Sequence, residues 1–358
     1  MILYQTTQQE KDAFIPSKLD FGNILLARHK NLSSKIRRGI SLTEIGNKGE
    51  SHVVKILKEF GSKHWIYLQN VWLDKNGRYE SDIIVITNVG IYIFEVKNYE
   101  GNFVYDNGDC KINNYDLTEN CIAQTNRAYK KMQSICSDTF IKAKTHGAII
   151  FIGEYNPVEI KSPISNIKVV KRSGLKSYIQ QMIEEERNFH ERQIDIDSLM
   201  QQLNKYCIPD PFRFNPLSDE EFTNIRTGIC CSRCQNFSLD ITGEHYFRCE
   251  CGMEESLEEA VIRTICEYGS LRYDKNLVVT KLLDFINHQT SLSNLYRILN
   301  KHFARINPKS RSGYHNKKLT LERISDDFKI VKPRKLYLHK NSLIVYMNNQ
   351  EVIIDYSK

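Results

Sequence analysis

The sequence lacks the long apolar segments and the leader pattern that mark membrane and exported proteins. Across its 358 residues, no apolar run approaches the roughly 18 residues that a membrane-spanning helix needs. Its first residues do not combine a basic stretch with an apolar core, as a signal peptide does. We therefore expect a cytoplasmic protein with no membrane partner. Its 10 cysteines are then expected to be reduced thiols or metal ligands rather than disulfides.

Two further absences narrow the range of functions. The chain contains no internal repeat and no low-complexity tract. It also lacks a GxxxxGK[ST] segment, the phosphate-binding loop of many NTPases, so no NTP-driven motor is evident. The hydrophobic fraction of 41% and charged fraction of 26% are those of an ordinary soluble protein, and the length predicts about two or three domains.

Positive charge is concentrated in the last quarter of the chain. The formal net charge is +7, yet residues 261–358 alone contain 18 basic and 8 acidic residues. Clustered lysine and arginine side chains predict a polyanionic partner, because each contact with a phosphate releases a counterion. A lysine-rich soluble surface is the alternative interpretation of the same excess.

Hydrophobic periodicity predicts a mixed α/β domain over residues 41–205. The expected elements are a helix at Ser41–Phe60 ended by Gly61, three strands within residues 65–99, a helix near 119–136, strands at 148–153 and 166–171, and a helix capped by Ser173. The remaining segments are expected to be an N-terminal extension at 1–40, a proline-containing linker at 206–227, a cysteine-rich element at 228–254 and a basic helical and hairpin region at 255–358.

A hairpin signal in the run DIIVITNVGIYIFEVK brings acidic residues together. Asn88 and Gly90 separate two β-branched and aromatic stretches. Because side chains alternate along a strand, Glu95 and Lys97 share one face, and Asp82 lies across from them on the partner strand. Two close carboxylates can hold Mg²⁺, and a lysine beside them can stabilise transition-state charge. The alternative interpretation is a cross-strand ion pair of little energetic value.

These residues also resemble a known family. The segments GNKGE (46–50) and YESDIIVITNVGIYIFEVKNYEGNF (79–103) are similar to the nuclease-related domain, NERD, of the PD-(D/E)xK nuclease-like superfamily. The resemblance covers about residues 42–175. It implies a restriction-endonuclease-like mixed sheet flanked by helices, in an enzyme that cuts phosphodiester bonds, of DNA more than of RNA.

The resemblance also implies roles for single residues. Asp82 and Glu95 would bind catalytic Mg²⁺ or Mn²⁺, and Lys97 would be catalytic. Glu50 would assist from the preceding helix, and Gln124 on the next helix would position the substrate or the lysine. An exposed helix position is the alternative for Glu50. Many nucleases with this chemistry act as dimers, so a homodimer or another assembly partner is a further expectation.

A cysteine cluster follows the predicted linker. Cys231 and Cys234 form a CxxC pair, and Cys249 and Cys251 form a CxC pair 14 residues later. Two tight cysteine turns facing each other across a hairpin supply the four soft ligands that tetrahedral Zn²⁺ prefers. We expect a zinc ribbon with structural zinc, since four thiolates leave no open position for catalysis. Cys230 can replace Cys231 in this pattern, and a redox pair or unpaired thiols are the alternatives.

The basic region suggests contacts with nucleic acid. A helix is expected at residues 255–269, ended by Gly269, and two more helices meet near residues 289–291 with Thr290 or Ser291 as cap. This pair is typical of a helix-turn-helix, with strands after it as a wing. The expected nucleic-acid contacts lie on the second helix and in the loop after it: Asn294, Arg297, Lys301, Lys309 and Arg311. A helical cap with a basic surface is the alternative.

Three hypotheses for function follow. The first is a metal-dependent deoxyribonuclease whose zinc and basic parts hold the substrate. The second is a non-catalytic DNA-binding or regulatory protein that uses a nuclease-like fold. The third is a nuclease subunit that is active within a larger assembly, such as a defence complex. An intact set of Asp82, Glu95 and Lys97 favours the first hypothesis, because a protein that merely binds has no need of it.

Overall fold

The computed structural model describes residues 16–138, 143–189, 194–208, 210–211, 213–242, 246–307, 313–316, 342–347 and 350–355. The chain divides into two compact units, residues 1–318 and 319–358. In the second unit, the described residues form an antiparallel hairpin of Ser342–Met347 and Gln350–Asp355. All other elements described below belong to the first unit.

The described helices of the first unit are α1 (Lys18–Arg28), α2 (Ser34–Phe60), α3 (Cys121–Asp138), α4 (Leu175–Arg187), α5 (Ile196–Tyr206), α6 (Asp219–Phe222), α7 (Leu257–Leu271), α8 (Val279–Phe285) and α9 (Leu292–His302). Its described strands are β1 (Ile66–Asp74), β2 (Arg78–Ile86), β3 (Gly90–Lys97), β4 (Phe103–Asp106), β5 (Asp109–Ile112), β6 (Tyr115–Asp116), β7 (Lys144–Phe151), β8 (Val158–Ile160), β9 (Ile167–Lys171), β10 (Cys207–Ile208), β11 (Leu239–Thr242), β12 (Tyr246–Cys249), β13 (Glu254–Ser256), β14 (Leu277–Val278) and β15 (Gly313–Tyr314).

A six-stranded mixed sheet organises the first part of this unit. Its strand order is β10-β1-β2-β3-β7-β9. The contacts of β3 with β7 and of β7 with β9 are parallel, and the others are antiparallel. A smaller sheet has the strand order β6-β5-β4-β8. Its strands β4, β5 and β6 follow β3 in the sequence, and β8 follows β7. The mixed α/β fold with flanking helices, predicted from the sequence, is confirmed.

Alternate side chains of β3 are buried on opposite faces of the sheet. Tyr92 and Phe94 pack in a core with apolar residues of α2 and α4. Ile91 and Ile93 point to the opposite face and pack with residues of α3 and α5. A strand covered by helices on both faces has a nearly continuous apolar sequence, which explains the run GIYIF at residues 90–94.

Two predicted helix starts differ from the observed ones. The helix α2 begins at Ser34 and is capped by the Ser33 hydroxyl, which accepts the Ile36 N–H, so it is longer than the sequence predicted. Ser173 is not an N-cap, because residues 172–174 form a 3₁₀ turn that runs directly into α4. The chain enters α4 through that tight turn, so the extended cap conformation that a serine would need does not occur there.

A second core joins distant parts of the chain. It contains Phe21 and Leu25 of α1, Ile225 and Ile229 after α6, and apolar residues of α7, α8 and α9. Ile40, near the start of α2, also belongs to it, whereas the end of α2 packs in the core of the six-stranded sheet. The long helix α2 therefore connects the two cores.

The expected end of α7 at Gly269 is wrong, because the helix continues to Leu271. A Cβ at Gly269 would clash with Oδ1 of Asn316, whose amide donates to the Gly269 carbonyl at 2.9 Å. The glycine therefore permits a close side-chain approach rather than ending the helix. Among the described residues, no helix has both the length and the apolar character of a membrane span.

Candidate active site

Asp82 and Glu95 face each other where β2 and β3 separate. The last pair in this ladder toward the site is Ile83 with Phe94, which places Asp82 across from Glu95 in register. Beyond that pair, the backbone N–H of Val96 donates to Oδ2 of Asp82 at 2.7 Å. The aspartate side chain thus replaces a ladder hydrogen bond and is held in a fixed position.

Lys97 is paired with Glu95 in a nearly dry environment. Its Nζ lies 2.6 Å from Oε1 of Glu95. Glu95 is 3% exposed and the lysine side chain is 16% exposed. A buried ion pair of this kind gives little net stability, since removing two charges from water offsets most of their attraction. The pair therefore calls for a functional explanation.

The helix α2 brings Glu50 to the same end of the sheet. A Cβ at Gly49 would lie 2.7 Å from Cβ of Asn98 and 3.1 Å from Cγ2 of Ile152, so the helix touches the ends of β3 and β7. The Asn98 amide also donates to the Ile45 carbonyl of α2 at 2.9 Å. These contacts fix the next residue, Glu50, beside the strands that carry the other acidic groups.

Crowded carboxylates raise one another's pKa values. Burial, and then the charges of Asp82 and Glu80, raise the pKa of Glu50 to about 7. Burial raises the pKa of Asp82, and burial together with the charge of Asp82 raises that of Glu95. Burial alone would lower the pKa of Lys97, but the negative charge of Glu95 outweighs it, so the lysine stays protonated.

The sequence analysis did not identify two residues of this site, Glu80 and Asn70. Glu80 lies two positions before Asp82 on β2, and burial together with the charge of Asp82 raises its pKa to about 7. Asn70 on β1 hydrogen-bonds the Glu50 side chain, and no sequence pattern indicated it.

Gln124 lies on α3, whose first residue is near Lys97. It is half-buried in the first turns of α3, and its backbone N–H donates to the Asn120 carbonyl at 2.9 Å. Cys121, which begins this helix, is buried and lies near Lys97, whose charge partly opposes the rise in the cysteine's pKa. The start of α3 therefore borders the lysine, while Lys97 itself donates to Glu95.

The four predicted cysteines converge on one point. The Sγ atoms of Cys231, Cys234, Cys249 and Cys251 all lie within 4.8 Å of one another. Cys231 and Cys251 are 3.6 Å apart and Cys234 and Cys249 are 3.4 Å apart, measured between their sulfurs. A tetrahedral zinc with bonds of about 2.3 Å needs sulfurs about 3.8 Å apart. The cluster therefore suits a metal such as zinc, on the three-stranded ribbon β11-β12-β13.

Two backbone turns present these thiols. The Gln235 N–H donates to the Cys231 carbonyl at 3.0 Å, and the Gly252 N–H donates to the Cys249 carbonyl at 2.8 Å. The residue that closes each turn has a left-handed backbone: φ is 61° at Gln235 and 80° at Gly252. The CxC half therefore closes as tightly as the CxxC half. Gly243, between β11 and β12, lies outside the described residues.

Cys230 points away from the cluster. Its Sγ accepts from the guanidinium of Arg28 at 3.8 Å and from that of Arg263 at 3.7 Å. Both arginines also pair with Glu267, with Arg263 Nη1 at 3.0 Å. Of the two alternatives left by the sequence, the structure places Cys231 and not Cys230 among the grouped thiols.

Arg297 and Lys301 of α9, which were expected to contact nucleic acid, form ion pairs with another part of the protein. Ser291 caps this helix by accepting the Asn294 N–H at 3.2 Å. Arg297 Nη1 lies 2.8 Å from Oε2 of Glu258, and Lys301 Nζ lies 2.6 Å from its Oε1. The first turn of α7 thus neutralises part of this face. Lys309 and Arg311 lie outside the described residues.

The helix-turn-helix expectation is met in part. The helices α8 and α9 are separated by residues 286–291 and contribute to the same core. The first of them starts at Val279, directly after the short strand β14, and ends at Phe285. Thr290 is buried and its hydroxyl accepts from the Asn294 amide at 2.8 Å, so it supports the cap that Ser291 makes.

Comparison with known proteins matches part of this chain to a family. Residues 45–152 match the family model described as nuclease-related domain. Searches of curated proteins and of solved structures returned no match. The matched segment runs from the second half of α2 to the residue after β7 and includes every residue of the carboxylate group described above. This chain therefore contains a nuclease-related domain at residues 45–152.

Proposed function

We propose that this protein is a metal-dependent nuclease that hydrolyses phosphodiester bonds of DNA. The observation that carries the proposal is the buried Glu95–Lys97 pair, 2.6 Å apart, beside the fixed carboxylate of Asp82. Such a group of charges costs folding free energy, and residues with strongly perturbed pKa values concentrate at catalytic sites. The nuclease-related domain that contains these residues supports nucleic acid as the substrate.

The donor set fits a hard divalent cation. Asp82 and Glu95 supply carboxylate oxygens, which Mg²⁺ and Mn²⁺ prefer. Burial raises the pKa of both carboxyl groups, the charge of Asp82 raises the pKa of Glu95 further, and the charge of Lys97 opposes both rises without cancelling them. When bound, Mg²⁺ would polarise the phosphodiester and lower the pKa of an attacking water.

The protein side chains then have separate roles. Lys97, protonated and held by Glu95, stabilises the negative charge that develops on the phosphoryl oxygens. Glu50, with a pKa of about 7, is suited to accept a proton at a carboxylate oxygen near neutral pH. Gln124, at the start of α3, positions the substrate or the lysine.

The cysteine cluster and the basic region have supporting roles in this proposal. Zn²⁺ bound by the four thiolates holds the ribbon together and takes no part in the chemistry, because no ligand position stays open. Substrate DNA is expected to contact Asn294, Arg297, Lys301, Lys309 and Arg311. The net positive charge of residues 261–358 supports this, although phosphates must compete with Glu258 for two of these side chains.

The test is cleavage of circular double- and single-stranded DNA, and of RNA, by purified protein with Mg²⁺ or Mn²⁺ against EDTA. Asp82→Asn and Lys97→Ala are expected to lower the rate by about 10² or more. Their matched controls are Asp74→Asn and Lys111→Ala, which remove surface charges of β1 and β5 and should leave the rate unchanged.

Other outcomes decide among the alternatives. Metal-dependent cleavage that Asp82→Asn does not affect would refute the assigned site. DNA binding without cleavage, equal in the wild type and in both site variants, would favour a non-catalytic binder. Cleavage that appears when a cell extract is added, and is lost in Lys97→Ala, would favour a subunit of a larger assembly.

A further inference from the structure

Asn70 has an unusual backbone for a residue inside a strand. Its φ is +52°, in the left-handed region that non-glycine residues enter infrequently and asparagine most readily. The ladder of β1 with β2 pairs Gln69 with Ile83 and Val71 with Ser81, and it omits the pair between them. In this register the residue opposite Asn70 is Asp82.

This conformation is not explained by a turn. The other described non-glycine residues with positive φ, such as Asn76, Asn107, Asn113 and His288, lie in turns, bends or loops. Asn70 lies in the middle of β1, four residues from the strand end at Asp74. A left-handed residue at that place interrupts a ladder that is regular on both sides. Strained positions of this kind persist where the surrounding structure enforces them, most often at functional sites.

The left-handed backbone has a specific consequence for the side chain. Asn70 is exposed, and its side chain lies within hydrogen-bonding reach of the Glu50 carboxylate on α2, where it lowers the pKa of that group. One residue therefore links the strand opposite Asp82 to the helix that carries Glu50. A further link between α2 and the sheet is the Gly49 contact with Asn98 and Ile152, which fixes the helix backbone but not the Glu50 side chain.

We propose that Asn70 is a positioning residue that holds the Glu50 carboxylate toward Asp82 and Glu95. The inference rests on the proposed nuclease function and extends it to a residue of β1. Glu80, two residues before Asp82, also lies near Glu50, so without a hydrogen-bond donor the Glu50 carboxylate would turn away from its negative neighbours. The Asn70 amide supplies that donor without adding charge.

The chain offers a matched set of variants. Asn70→Gly keeps a residue that adopts positive φ without strain and removes the amide. Asn70→Asp keeps the left-handed tendency and replaces the donor by a carboxylate. Each is combined with Glu50→Gln, which removes the charge that Asn70 is proposed to hold. If Asn70 acts through Glu50, the effects of the two changes are not additive.

The measurements are kcat and KM for Mg²⁺-dependent cleavage of double-stranded DNA, with Mn²⁺ affinity from calorimetry. In the wild-type background, Asn70→Gly should lower kcat and Mn²⁺ affinity by about 10-fold with little change in KM. Asn70→Asp should lower them further. In the Glu50→Gln background, Asn70→Gly should change either quantity by less than about twofold.

The outcomes separate this inference from the proposed function. Wild-type cleavage that Asn70→Gly leaves unchanged would refute the inference and leave the nuclease proposal intact. An equal loss in both backgrounds would also refute it, because the asparagine would then act on the strand and not through Glu50. A wild type that neither cleaves DNA nor binds Mn²⁺ would refute the proposed function, and the positioning role with it.

Discussion

The thiol group of the ribbon and the carboxylate group of the sheet are built in opposite ways. The four thiols of the ribbon lie within 4.8 Å of one another, close to the separation that a tetrahedral ion requires. The carboxylates of the sheet come from α2, β2 and β3, and they are held by contacts with the protein: Asp82 by the Val96 N–H, Glu95 by Lys97 and Glu50 by Asn70.

In the proposed function, this difference separates a structural site from a catalytic one. A closed set of soft ligands binds a metal tightly and leaves it no free position. Spread oxygen ligands with raised pKa values bind a metal less tightly and leave room for water and substrate. The protein supports the second arrangement with a rigid helix contact at Gly49, because catalysis needs positions that are kept fixed without the metal.

The largest effect should follow from opening the thiol cluster. Cys249→Ser removes a buried ligand on β12 and should release zinc, with a loss of several kcal/mol in the free energy of unfolding. The control, Cys136→Ala, removes a buried thiol of α3 from the core beside the sheet and should cost about 1 kcal/mol without releasing zinc. Bound zinc by mass spectrometry and denaturant unfolding check this; full zinc content in Cys249→Ser would contradict a four-thiolate site.

Displacing α2 should damage the carboxylate site. Gly49→Ala forces a methyl group against Asn98 and should cost about 1–3 kcal/mol of stability, with a cleavage rate lower by about 10-fold or more. In the same helix, Gly39→Ala meets nothing within 4 Å and should be neutral or stabilising by up to about 1 kcal/mol. Unfolding curves and cleavage rates measure both. A fully active, equally stable Gly49→Ala would show that the helix contact does not position Glu50.

The raised pKa of Glu50 gives a pH prediction. The folded protein binds a proton at Glu50 up to about pH 7, whereas the unfolded chain loses it near pH 4.5, so the metal-free stability falls as pH rises between these values. Glu50→Gln should therefore be more stable than the wild type by about 1–2 kcal/mol at pH 8 and equal to it at pH 4. Urea unfolding in EDTA measures this, and a difference independent of pH would contradict it.

The smallest effect should appear at Glu258. Hydrogen bonds from Lys301, His302 and Arg297, together with the charge of Arg297, lower its pKa to about 2. Its stabilising contribution is present above pH 4.5 and is lost as pH falls through 2. Glu258→Gln should cost about 1 kcal/mol at pH 7 and strengthen DNA binding a few-fold at low salt, since it frees basic side chains. Glu44→Gln, a surface change on α2, is the control. Unchanged binding would remove α9 from the proposed DNA interface.

Local patterns in the sequence predicted much of the sheet and of the site. Alternation in the run GIYIFEVK placed Glu95 and Lys97 on one face, and the hairpin brought Asp82 across from them. The cysteine spacing predicted the ribbon cluster. In each case the information lies within one strand, one turn or one hairpin, where the geometry follows from the chain itself.

Features that depend on tertiary contacts were not predictable in the same way. The left-handed Asn70 and its bond to Glu50 need the packed sheet and helix together. The glycine at 269 was interpreted as a helix end, but it admits the side chain of Asn316. The pairing of the basic face of α9 with Glu258 links positions more than 38 residues apart, a distance over which periodicity carries no information.

The central claim is that two metal sites of different chemistry coexist in this chain. It is tested most directly by anomalous scattering from a crystal of the zinc-containing protein soaked in Mn²⁺, measured at the zinc and manganese absorption edges. We expect a zinc peak at the centre of the four thiols and a manganese peak between Asp82 and Glu95. A protein that holds zinc in the ribbon but shows no manganese between these two carboxylates would contradict it.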